Sequence, residues 1–191
     1  MSLLLYAIVG LVVIIIAGLV IVIYNSLVAL RNNAKKAWAD IDVLLEKRHD
    51  ALGKLIDTVS SYMKYEKGLM MQLTQLRSQW MNLPQGDVQA KMNASNQVSS
   101  ALKSVLAVAE NYPDLKANNS FIQLQQSIQT FESQIADRRE FYNQSVTDLN
   151  IRIQQFPYNL LARAMGFSAM TLFQVPEETK ADVKINFDMH Q

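Results

Sequence analysis

Glu46 and His49 stand three residues apart in Glu46-Lys47-Arg48-His49, which on a helix puts a carboxylate and an imidazole on one face. Di-iron and di-manganese bundles use this Glu-x-x-His pair twice and add a Glu from each of two further helices. The chain has only two histidines, and the second, His190, lies one residue from the end, outside any predicted helix. One imidazole cannot complete that ligand set, so no metal and no other cofactor is expected, and the pair reads as a charged flank of a long helix. Asp40, Asp42, Glu46 and Asp50 form an acidic cluster that could do acid–base work if burial raised one pKa. Lys36, Lys47 and Arg48 lie among them, however, which is the pattern of a solvated, self-neutralising face. Arg138-Arg139 could hold an anion, but Asp137 and Glu140 flank the pair. Cysteine is absent, and no serine elbow, glycine-rich phosphate loop or zinc spacing occurs. These residues do not read as an enzyme. Trp38, Trp80, Tyr62, Tyr65 and Tyr112 could line a ligand pocket, but at helical spacing they are expected in a core.

What must position these residues begins with Leu3 to Ile23, which contains Gly10 and Gly18 and runs 21 residues without a charge. As a helix it spans roughly 31 Å, against about 30 Å for the hydrocarbon core of a bilayer. A cleaved secretory signal fits poorly, because no Lys or Arg precedes the run, it is too long, and no Ala-x-Ala site closes it. The expected organisation is a membrane anchor over 1–25, a helical body over 26–167 and a flexible tail over 168–191. Arg31, Lys35 and Lys36 follow the anchor closely, so the positive-inside rule favours an external N-terminus and a cytoplasmic body. The same three side chains are candidates for lipid headgroup contact, each worth about 1 kcal/mol on an anionic surface; setting topology alone would explain them equally well. A net charge of +1, with basic residues spread along the chain, gives no footprint for nucleic acid.

From Leu27 to Leu83 the apolar positions repeat at heptad spacing. One row runs Leu27, Ala34, Ile41, Arg48, Leu55, Tyr62, Leu69, Leu76, Leu83; beside it run Trp38, Leu45, Leu52, Val59, Glu66, Leu73, Trp80. Only Arg48 and Glu66 interrupt them. The pattern predicts an all-α fold in which the anchor continues into a long-helix antiparallel bundle of three to four helices with coiled-coil-like packing. Gly53 and Gly68 are the weak points where the first helix could bend. Prolines mark the other boundaries. Pro84-Gln85-Gly86-Asp87 closes the first helix, a second runs from about Val88 to Tyr112, and a third from Ser120 to Phe156, with Phe121, Ile128, Ile135, Tyr142, Leu149 and Phe156 every seven residues. A short helix over Asn159–Met165 stops at Gly166. Pro176 to Lys180 reads as a polar linker, and Asp182 to Phe187 alternates like a lone strand. Unbroken to Leu83, the first helix would reach about 90 Å, against about 38 and 55 Å for the next two. That mismatch predicts a homo-oligomer in which Leu27, Leu30, Trp38, Ile41 and Leu45 pack between or within protomers.

Four blocks carry a family resemblance. They are Tyr24-Asn25-Ser26-Leu27-Val28-Ala29-Leu30-Arg31-Asn32 with Ala37-Trp38-Ala39-Asp40-Ile41-Asp42-Val43; Ala109-Glu110-Asn111-Tyr112-Pro113-Asp114-Leu115-Lys116-Ala117-Asn118; Arg138-Arg139-Glu140-Phe141-Tyr142-Asn143; and Phe156-Pro157-Tyr158-Asn159-Leu160-Leu161-Ala162 with Gly166-Phe167. In this order across nearly the whole chain, they strongly resemble the LemA family. The resemblance implies a bacterial membrane-anchored protein with a roughly four-helix soluble part, and no catalytic activity to carry over. Where relatives often place Pro after Asp-Leu-Ile, this chain has Gly53, which leaves a continuous helix open. The first functional expectation is a scaffold or adaptor at the bacterial inner membrane, in contact with the lipid bilayer and with copies of itself. The alternative is a sensor or accessory subunit that recruits another envelope membrane protein, such as a protease, through its juxtamembrane stretch or tail.

Overall fold

A computed structural model describes residues 2–84 and 86–174. It contains six helices in chain order, α1 (Ser2–Val59), α2 (Lys67–Met81), α3 (Val88–Ala109), α4 (Pro113–Lys116), α5 (Asn119–Arg152) and α6 (Tyr158–Ala164), and no strand among the described residues. The expected linker at 176–180 and strand at 182–187 lie outside them.

Residues 3–22 of α1 present apolar side chains all round and touch almost nothing among the described residues; Leu3 is 86% exposed and nothing approaches Gly10 or Gly18. This is the one described helix long and apolar enough to cross a membrane. Without a break, α1 then enters the bundle, where α5 runs antiparallel along it. The pairing is fixed at both ends and in the middle: the Asn118 amide donates to the Tyr62 hydroxyl at 3.0 Å, Arg48 meets Glu132 at 2.6 Å, and the Trp38 and Tyr142 rings lie edge-on at 5.7 Å.

Two expectations about the first helix fail together. It does not run to Leu83, and it bends at neither Gly53 nor Gly68. The chain reverses over residues 60–66, and α2 returns antiparallel along α1, placing Trp80 beside His49. Three hydroxyls stand at the break: Thr58 Oγ1 donates to the Lys54 carbonyl, Ser60 Oγ to Asp57 and Ser61 Oγ to Thr58. Such side-chain bonds to nearby carbonyls compete with continuation of the helix. Gly53 lies buried inside α1 for another reason, since a Cβ there would come within 3.1 Å of the Arg77 guanidinium crossing from α2. Gly68 sits in the first turn of α2 with open space beside it.

The starts of the remaining long helices follow the sequence, whereas α3 ends at Ala109 and α5 at Arg152, short of the expected Tyr112 and Phe156. The Asp87 side chain caps α3 by accepting from Ala90 N–H at 2.9 Å, and Asn118 caps α5 by accepting from Phe121 N–H at 3.1 Å. Gly166, at φ +70°, ends α6: Phe167 N–H returns to the Ala162 carbonyl at 2.9 Å while both side chains join one apolar cluster.

The core forms three apolar clusters along the bundle. Leu52, Leu55, Val59, Leu102 and Phe121 belong to the distal one, and Ala34, Ile41, Leu45, Met92, Ile135 and Tyr142 to the middle one. Ile23, Leu27, Ala162 and Phe167 make the third, where the apolar helix leaves the body. Leu27, Ile41 and Leu45 are fully buried within one chain and Trp38 packs beside them, so α5 and α6 cover the heptad rows down to Leu27. The length mismatch behind the expected oligomer is therefore absent. Leu30 is half-buried beside Ile151 and Arg152. Residues 168–174, expected to be flexible, are packed instead, as described next.

Candidate functional site

Arg48 interrupts a row of Leu, Ile and Ala, and the row carries it into the interior, where it is 1% exposed. Its Nη1 donates to Glu132 Oε1 at 2.6 Å and Ser99 Oγ at 2.7 Å; its Nη2 donates to the Ser95 carbonyl at 3.0 Å and Ser95 Oγ at 2.8 Å. Ser99 Oγ in turn donates to Glu132 Oε2 at 2.9 Å. Helix α3 supplies the serines at i and i+4, so both hydroxyls face α1, and α5 supplies the carboxylate. Burial pulls the guanidinium pKa below its ordinary value, and Glu132 opposes that shift. The hydroxyls, the carboxylate and four N–H bonds of the guanidinium satisfy one another. Without a histidine or a free base beside Ser99, the arrangement has no activated nucleophile. It bolts α1, α3 and α5 into one register.

One turn away, Glu46 and His49 share a face as their spacing predicts. The Glu46 carboxylate accepts from Trp80 Nε1 at 3.4 Å and from Lys91 at 3.3 Å, while Lys91 also meets Asp42 at 2.5 Å. His49 stacks on Trp80 with centroids 5.6 Å apart and planes 17° from parallel. Burial lowers its pKa, Glu46 and Asp50 oppose the shift, and Arg77 adds to it. No group of three or more metal-ligating side chains converges among the described residues. The acidic cluster divides: Asp42 and Glu46 bind α3, while Asp40 and Asp50 stay exposed.

A second polar device lies nearer the apolar helix. Residues 170–174 run extended beside α5, held by asparagine amides. Asn150 donates to the Met170 carbonyl and accepts from its N–H, both at 2.9 Å. Asn143 does the same for Phe173, at 3.1 and 2.8 Å. The Tyr142 hydroxyl donates to the Thr171 carbonyl and Asn96 to that of Gln174. Phe173 is thereby buried against Trp38, and Arg139 lies over its other face at 4.2 Å, so half of the suspected anion pair serves the aromatic cluster. Arg138 is exposed, as is Tyr65 at 92%, the one aromatic of those expected in the core that stands in the solvent-facing turn.

Of the residues assigned to lipid headgroups, Lys35 and Lys36 are exposed, while Arg31 is half-buried with its guanidinium 4.7 Å from the Phe167 ring. Ile23, at the end of the expected lipid-facing stretch, is 3% exposed beneath α6. Sequence reasoning placed Arg48 on a solvated, self-neutralising face, and the structure buries it instead, as its place in the heptad row signalled. The same reasoning passed over Asn143 and Asn150, whose seven-residue spacing on α5 puts them on one stripe.

Comparison with known proteins returns one family. The model of the LemA family matches residues 37–187, starting past the apolar stretch. A protein named Protein LemA, from Metamycoplasma hominis, is 27% identical over 80% of this chain and 69% of its own length. Magnetosome protein MamQ 2 of Paramagnetospirillum magneticum is 23% identical over 77% of this chain, and Magnetosome protein MamQ of Magnetospirillum gryphiswaldense 21% identical over 76%. The chain spans 63% and 62% of the length of those two magnetosome proteins.

Proposed function

The chain belongs to the LemA family, and from that premise we propose that this membrane-associated helical protein is a non-catalytic scaffold or adaptor, anchored by one pass in a bacterial inner membrane. The observation that carries the reading is the continuity of α1 from an uncovered apolar stretch into a bolted bundle. A helix that does not bend at the membrane surface holds its far end at a fixed height. From Ile23 to Val59 that height is about 54 Å. The buried charge and hydroxyls are committed to holding that rod together, which supports a positional role over a chemical one.

Lys35 and Lys36, exposed beyond the anchor, favour a cytoplasmic body. Copies that assemble do so through the apolar helix or the bundle's outer flanks, because the heptad rows are already covered. The mass of the full-length particle in mild detergent tests self-assembly: a defined multimer supports the scaffold, and a monomer removes that part of it.

The adaptor reading that relies on the tail has its own support. The family match continues to residue 187, well past the last described helix, so the terminal stretch belongs to what the family shares. Proximity labelling around the full-length protein would then return one dominant envelope partner, lost on deleting residues 176–191. An unchanged set of neighbours after that deletion would sink the tail as the recruiting element.

A further inference from the structure

We propose that the membrane-proximal end of the bundle is itself a lipid-docking surface, in which Phe156 and Leu160 enter the acyl boundary of an anionic leaflet and Arg152 and Arg163 engage its headgroups. The inference rests on the reading that α1 crosses the membrane.

Phe156 continues the heptad row of α5, yet α5 stops at Arg152 and leaves the ring 78% exposed. Leu160 is 62% exposed on α6, a helix whose Ala162 packs on Ile23 and Leu27. These apolar side chains therefore lie close to the level at which the apolar helix leaves the body. Tyr24 and Phe167 meet edge-on at 6.2 Å at the same level. An apolar patch rimmed by cations at a bilayer boundary has the composition of an interfacial anchor.

Charge points to the same occupant. Residues 2–39 and 149–174 contain no Asp or Glu, although acidic residues are frequent from Asp40 to Asp148. The acid-free ends carry Arg152 and Arg163 beside the juxtamembrane Arg31, Lys35 and Lys36. Arg152 lies 4.8 Å from the Tyr158 ring, and Arg31 similarly covers Phe167, so aromatic faces hold two of these cations at the boundary. A net positive, acid-free base on an otherwise near-neutral body suits an anionic leaflet.

The chain has no cysteine, so single labels can be placed cleanly. Full-length L160C, I14C and Y65C, each carrying an environment-sensitive fluorophore, are reconstituted into phosphatidylcholine vesicles with and without phosphatidylglycerol. Brominated lipid should quench L160C within about twofold of I14C and several-fold more than Y65C. The quenching should weaken without phosphatidylglycerol or on adding Arg163→Gln. An L160C label as open to aqueous iodide as Y65C, with I14C still quenched by lipid, overturns the proposal. So does an L160C label shielded from iodide yet untouched by brominated lipid, because a second copy then covers the face. If I14C itself escapes lipid quenching, the spanning reading fails and this inference falls with it. Circular dichroism of each labelled protein confirms that the helices are retained.

Discussion

Residues 3–22 and 27–59 belong to one unbroken helix, yet they solve opposite problems. In the first half apolar residues surround the axis and nothing among the described residues covers them. In the second half the buried ones are concentrated along two rows, against which α2, α3, α5 and α6 pack. A uniformly apolar surface suits a solvent that is itself apolar, whereas a striped one needs partner helices to remove its stripe from water. The second half also admits a charge, Arg48, which the first half does not. That charge survives because four hydrogen bonds meet it, one of them to a carboxylate partner, and losing that carboxylate should be the most damaging change of all. Glu132→Ala should cost about 3–5 kcal/mol in urea unfolding of the full-length protein, since it strands the guanidinium. Replacing both partners, Arg48→Met with Glu132→Leu, should restore most of that loss. If the double variant is as weak as the single one, the layer is more than a satisfied pair.

The contrast sharpens with matched truncations. Leu45→Ala should destabilise the body by about 2–5 kcal/mol, because Leu45 is fully buried in the middle cluster. Ile14→Ala should leave the unfolding midpoint of the body unchanged, since the Ile14 side chain, 70% exposed, is uncovered by any other element. Equal effects would mean that the apolar half supports the fold directly.

The two halves were legible in the sequence to different depths. The apolar run, the proline breaks and the Gly166 stop could all be read, because each acts on residues within a few positions. The reversal at 60–66 could not. Heptad rows record which face is buried and are blind to direction, so Leu69, Leu73, Leu76 and Trp80 keep the period after the chain has turned back. Arg48 showed its position but not its burial, since Ser95, Ser99 and Glu132 lie 47, 51 and 84 residues away. Asn143 and Asn150 drew no reading because their partners are backbone atoms 30 and 20 residues away, which no side-chain pattern announces.

Where the halves meet, α6 caps the exit, and Gly166 sets its end. Gly166→Ala would force a β-carbon into the left-handed region at φ +70° and should cost about 1–2 kcal/mol. Ala162 and Phe167 should loosen first, which hydrogen exchange of Phe167 N–H would register. Unchanged protection there would separate the cap from the covering of Ile23 and Leu27.

The smallest expected effect concerns His49, the titratable group of the covered half that changes charge nearest neutral pH. Stacked on Trp80 and facing Glu46, Asp50 and Arg77, its folded pKa lies below 6.5, with burial the largest cause. On acidification the unfolded chain therefore takes up this proton before the folded one. Well above the unfolded pKa neither state holds it and His49 contributes no pH dependence; as pH falls through the unfolded value towards the folded one, stability is lost. The other titratable groups are common to both proteins, so the contribution is isolated by difference. The stability of wild type relative to His49→Gln should be constant from pH 8 to 7 and should decline from pH 6.5 to 5.5. A difference that instead grows with acid would show that Glu46 and Asp50 outweigh burial, making this face of α1 one that favours the protonated imidazole.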